Sequence, residues 1–308
     1  MKTRKLIIRN SIIVLSIASL FAIASCKKNS STTTTTTPPT PKGVIGFHLH
    51  TQIGSVVDSI LANNYAYPMN DSSFYPTNSI FNSKHYITLK LDTAQLYISN
   101  IVLHSSTSNY TVSGQYILKY IGAEGPYIIG LVPTGNYTSV SFNIGLDAMA
   151  NGMIPGSMTS AFNVFSTTTN TQFNPFSPPA TYTDPYGEYG TIAPMWSGNT
   201  GTGYDFVNVS GFADTSVAQT GKYQHFSYML GTSSSLVTIN LPTMSSPVTV
   251  TTANTNAAPA EIHVICDYGQ FFKGITDFRS QNSVTIATST TPLADTLLKH
   301  IKTMFHYE

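Results

Sequence analysis

Ile45-Gly46-Phe47-His48-Leu49-His50-Thr51-Gln52-Ile53 alternates residue by residue. In an extended chain successive side chains point to opposite faces. Ile45, Phe47, Leu49, Thr51 and Ile53 therefore share one face, and Gly46, His48, His50 and Gln52 share the other. No helix gathers these residues so cleanly, so the stretch reads as a half-buried β-strand. The same alternation recurs in Ile87, Leu89 and Leu91, set between Thr88 and Lys90. Leu96 to Leu103 is almost continuously apolar around Ser99-Asn100 and suits a central strand. Further candidate strands are Tyr116 to Ile121, Tyr127 to Val132, Tyr137 to Ile144, Tyr204 to Val209, His225 to Leu230, Leu236 to Leu241, Val248 to Thr252 and Glu261 to Asp267. Pro133-Thr134-Gly135-Asn136 has the chemistry of a tight reversal and predicts a hairpin between its flanking strands.

Strands at this spacing predict an all-β fold, a single antiparallel β-sandwich or barrel-like domain over residues 43–308. A short helix is expected at the end. Pro292 suits its start, and Leu293, Leu297, Leu298, Ile301 and Phe305 form its apolar stripe. Two stretches interrupt the pattern: Asn63 to Asn82, and the long Pro-rich segment Ala148 to Pro194.

The N-terminus is of another kind. Lys2, Arg4, Lys5 and Arg9 precede a short apolar run, Ser11 to Ser25, and the run ends in Ile23-Ala24-Ser25-Cys26. Residues 1–25 read as a lipoprotein signal peptide, with cleavage before Cys26 and lipidation of its thiol. Residues 26–42 read as a tether, rich in Ser, Thr and Pro, with six consecutive threonines from Thr32 to Thr37. The expected location is the cell envelope, in an outer membrane where the cell has one, with lipid as the anchor.

Only 9% of the 308 residues are charged and 41% are hydrophobic, so the chain can bury a core. Without the four signal cations, 11 basic residues face 14 acidic ones. That balance argues against a nucleic-acid partner, which would call for a basic stripe. Two cysteines make neither a disulfide framework nor a Cys-rich zinc module. There is no nucleophile elbow, phosphate loop, dinucleotide glycine pattern or HExxH, so an enzyme is not expected.

Few residues stand out as ligands. His48 and His50 point the same way and could hold a metal with a third donor, although their face is the polar one, expected toward solvent. Cys266 shares a face with Ile262 and Val264, as a buried structural thiol or a soft ligand. His263 alternates away from it and reads as a surface residue.

Leu96-Tyr97-Ile98-Ser99-Asn100-Ile101-Val102-Leu103 is similar to the "YYISNIxL" strand of the MbnP-like copper-binding family. Pro133 to Asp147, PTGNYTSVSFNIGLD, resembles its "PaGxYtsisFxiGxD" hairpin. Met195-Trp196 with Gly203-Tyr204 and Gly211 resembles its "MxW…GY…xxG" region, and Phe226 to Gly231 its "FxYHiG" strand. The resemblance implies an all-β envelope protein that binds copper. It implies partners of two kinds, a di-haem peroxidase-type oxidase that converts Trp196 to a kynurenine ligand, or a TonB-dependent transporter. Two imidazoles of the relatives are replaced here, one by Thr51 and one by Met229. The resemblance thus points to a soft site built on Met229 and Trp196, with His48 and His50 nearby. A metal-free scaffold that binds a protein or glycan through its loops is the alternative.

Overall fold

The computed structural model describes residues 40–53, 56–57, 65–68, 86–112, 114–120, 125–152, 164–166, 171–173, 195, 203–214, 221–231, 235–275, 278–284 and 291–308. The signal segment, Cys26, most of the tether, Trp196 and most of the two irregular stretches lie outside these residues. The folded unit is Thr40–Glu308.

Its elements follow in order. They are β1 (Lys42–Ile53), β2 (Val56–Val57), β3 (Tyr65–Pro68), β4 (Tyr86–His104), β5 (Asn109–Thr111), β6 (Ile117–Tyr120), β7 (Tyr127–Pro133), β8 (Gly135–Tyr137), β9 (Ser139–Ile144) and α1 (Ala148–Asn151). After them come β10 (Val164–Ser166), β11 (Thr171–Phe173), β12 (Asp205–Asp214), β13 (Tyr223–Gly231), β14 (Val237–Asn240), β15 (Val248–Val250), β16 (Ala260–Asp267), α2 (Tyr268–Phe271), β17 (Ser283–Val284), α3 (Pro292–Ile301) and β18 (Phe305–Tyr307).

Two curled sheets make a sandwich-like, half-barrel fold, as the alternation predicts. One sheet orders its strands β18-β16-β1-β2, with β7 on the other edge of β1. The larger sheet orders β14-β9-β4-β12-β13-β17, and β3, β5 and β6 also pair with the long β4. Most ladders are antiparallel, but β1 and β16 run parallel, as do β13 and β17. The core lies between the sheets. Phe142 of β9 meets Phe47 of β1 edge-on at 5.8 Å and Phe305 of β18 at 5.3 Å. The Tyr307 hydroxyl accepts a bond from the Val140 amide at 3.1 Å, so the C-terminal strand is tied to the opposite sheet.

The expected hairpin at Pro133–Asn136 does not form. β7 pairs with β1 in one sheet, whereas β9 pairs with β4 and β14 in the other. The chain crosses between sheets there, and β8 makes its own short ladder with β15. Turn chemistry specifies a reversal but not which strand each arm joins. Gly145, just beyond β9, has a φ of +115°. A Cβ there would meet the Phe206 ring at 2.3 Å, so this place needs glycine on both counts.

The C-terminal helix is present as α3. Thr291 caps it, its hydroxyl accepting from the Ala294 amide at 3.2 Å, and Pro292 opens it. Ala294, Leu297 and Ile301 are its buried stripe. Phe305, expected on that stripe, instead begins β18. The helix stops at Ile301 and the chain turns back to pair with β16.

Candidate metal centre

The parallel ladder between β1 and β16 builds the site. Its register sets Gly46 beside Glu261, His48 beside His263, and Thr51 beside Cys266. Residues directly paired share a face, so the inner face carries Phe47, Leu49, Ile262, Val264 and Cys266. The outer face carries His48, His50, Glu261 and His263. On the far side of β16, β18 runs antiparallel, with Val264 opposite Tyr307. One step further brings Glu308 alongside His263, whose carbonyl accepts the Glu308 amide at 3.5 Å.

Three imidazoles therefore converge. The His48 and His50 rings stack at 4.4 Å, and the His48 and His263 rings at 4.7 Å. One nitrogen of each lies within 4.8 Å of the others. His50 Nε2 and His263 Nδ1 are 3.3 Å apart. Two carboxylates flank them. His48 Nδ1 donates to Glu261 Oε2 at 3.0 Å, and the same oxygen is 3.6 Å from His263 Nε2. Glu308 Oε2 lies 3.1 Å from His263 Nδ1 and 3.4 Å from His50 Nε2. With Nδ1–H held by Glu261, the Nε2 of His48 is the nitrogen left for a metal. This is how a carboxylate fixes the tautomer of a metal-ligating histidine. An open cleft of about 410 Å³ adjoins the cluster, and Glu261, His263, Tyr307, Glu308 and Met244 line part of it.

The residues singled out in the sequence fall in different places. His48 and His50 lie in the cluster, and the pair is less open to solvent than its polar face implies, since His50 is only 9% exposed. Met229 is half-buried on β13 of the larger sheet, on the face opposite Phe226, Tyr228 and Leu230. It and the histidines lie on different sheets and point away from the shared core. Trp196 is outside the described residues, although Met195 before it is buried and its carbonyl accepts from the Asp205 amide at 2.7 Å. Thr51, where the resemblance implies a ligand histidine in relatives, is buried, and its hydroxyl accepts from the Lys119 ammonium at 2.7 Å. A buried ammonium donor at that spot disfavours a cation.

Cys266 is fully buried, as its inner-face alternation implies. Burial pushes its thiol up to about 12, against the pull of the Lys119 charge, so it stays a protonated core group rather than a thiolate ligand.

Sequence reasoning missed His263, Glu261 and Glu308. A signal was available. Glu261 and His263 repeat on β16 the i, i+2 polar pair that His48 and His50 make on β1, each within an otherwise apolar strand.

The MbnP family matches residues 64–289. That span includes His263, Trp196 and Met229, while His48, His50 and Glu308 fall outside it. Among solved structures, MbnP from Methylosinus trichosporium is similar at 10% identity, over 83% of this chain and 87% of that one, with a TM-score of 0.43. No curated protein matches. With nearly three quarters of its length matched, the chain belongs to the MbnP family.

Proposed function

We propose that this chain is a copper-binding lipoprotein of the bacterial cell envelope, held to a membrane through acylated Cys26 and working with a redox or transport partner. It binds and hands over metal rather than catalysing a reaction. The observation that carries the reading is the convergence of His48, His50 and His263, with one nitrogen of each within 4.8 Å of the others. Imidazole suits copper in either oxidation state and zinc as well. The family supplies the association with copper. The lipobox ending in Cys26 and the threonine tether support the envelope location. The cleft beside Glu308 gives a partner access to the cluster.

The test is copper titration of full-length protein solubilised from membranes and stripped of metal. It compares the wild type with Met229→Ala and with the double variant His48→Ala/His50→Ala. The double variant is expected to lose affinity on the order of 100-fold or more, since removing mere supporting partners of ligands already costs 10–100-fold. Met229→Ala is expected to bind as the wild type does. Loss in Met229→Ala alone would transfer the site to the larger sheet. A wild type that takes up no copper would leave the metal-free scaffold in its place.

A further inference from the structure

The donor atoms have a more specific geometry than three clustered imidazoles. His50 Nε2, His263 Nδ1 and Glu308 Oε2 form a triangle with edges of 3.3, 3.1 and 3.4 Å. In a tetrahedral site with ligands at about 2.0–2.1 Å, neighbouring donors stand about 3.3 Å apart. The triangle is thus the size of one face of such a tetrahedron. The His48 ring stacks on the His50 and His263 rings, with its Nδ1 proton engaged by Glu261.

We propose that Glu308 is a ligand, and that the site is a three-histidine, one-carboxylate centre for a divalent borderline cation, Cu(II) or Zn(II), rather than for Cu(I). His50, His263 and Glu308 form the base, and His48, whose ring is stacked on theirs, completes the set by turning its Nε2 toward the ion. Glu261 is a positioning residue. It contacts His48 Nδ1 and His263 Nε2, which leaves the opposite nitrogen of each ring for the metal.

The metal preference follows from the donor chemistry. A carboxylate is a hard, anionic oxygen donor, and with three imidazoles it favours divalent ions; Cu(I) is better served by thioether or thiolate sulfur. Between the two divalent ions, the Irving–Williams order places copper above zinc. His50 Nε2 and His263 Nδ1 share one proton in their 3.3 Å hydrogen bond, so a metal entering the triangle displaces it. Two histidines of the centre and its carboxylate lie outside the span that matches the family, and the centre is built on β1, β16 and the residue after β18.

The proposal rests on the metal-binding reading above, and the experiment separates the two. Full-length apo-protein is titrated with Cu(II), with Zn(II), and with Cu(I) under reductant, each against a chelator of matched affinity. Wild type and Glu308→Gln are compared, with melting temperatures taken on the apo forms. Glu308 is more than half exposed, so Glu308→Gln should melt as the wild type does. The expected result is a 10-fold or greater loss of Cu(II) and Zn(II) affinity in Glu308→Gln, with Cu(I) affinity changed less than threefold. The Cu(II) electron paramagnetic resonance spectrum should also shift as the anionic oxygen donor is lost. Equal divalent affinity in both proteins, with an unchanged spectrum, would overturn Glu308 as a ligand and leave copper binding standing. Uptake of Cu(I) without either divalent ion would overturn the metal preference. Failure of the wild type to bind any of the three ions would overturn both readings.

Discussion

Changing His263 to alanine is expected to lower metal affinity on the order of 100-fold or more, because a ligand should matter at least as much as the partners that orient ligands. The fold should be untouched. The His263 side chain is 43% exposed and points away from the core that Ile262 and Val264 enter. Competition with a chelator measures the first effect and the apo melting temperature the second. Metal itself gives a further reading. A ligand bound only by the folded state at 100 times its dissociation constant stabilises it by about 2.7 kcal/mol. The wild type should therefore melt higher with saturating copper, and His263→Ala should lose that increment. An equal rise in both proteins would place the metal elsewhere.

The second large effect concerns the contact beneath the site. Phe142→Ala is expected to destabilise the folded unit by about 3–5 kcal/mol, the range for removing a buried aromatic side chain. Phe142 is 1% exposed and is wedged between Phe47 of β1 and Phe305 of β18. It joins the larger sheet to two of the strands that carry the histidines and Glu308. For a unit of this size that loss corresponds to a fall in melting temperature of roughly 10 °C. Leu131→Ala is the comparison. Leu131 is 59% exposed on β7, and its replacement should change stability by no more than about 0.5 kcal/mol. Similar melting of the two variants would mean that the inter-sheet aromatic contact is not a main support of the fold.

Much of this architecture is legible in the residues themselves. The alternation at Ile45–Ile53 predicts β1 and its inner face, and β4 emerges from two separately read stretches, Ile87–Leu91 and Leu96–Leu103. Pro292 and the apolar stripe of α3 are local signals and suffice to place the helix. Three features were hidden because they depend on pairing at long range. β1 and β16 are neighbours in space, but His48 and His263 are more than 200 positions apart. Their ladder is parallel, so a long connection rather than a tight turn joins them. Nothing near His263 reveals that its neighbour across the ladder is another histidine. Glu308 depends in the same way on β18 pairing with β16. The Pro133–Asn136 segment shows the limit from the other side, since its local chemistry is right for a turn while its two arms belong to different sheets. Phe305 follows the helical period of α3, but Lys302 and Thr303 end the helix before that period reaches it.

The central claim is that metal sits on imidazole and carboxylate donors of β1, β16 and Glu308, and X-ray absorption of the copper-loaded, full-length protein tests it most directly. The account predicts a first shell of nitrogen and oxygen at about 2.0 Å with the multiple-scattering pattern of imidazole. It also predicts that this imidazole signal falls in His263→Ala. A sulfur shell at about 2.3 Å that vanishes in Met229→Ala, with no imidazole pattern, would contradict it.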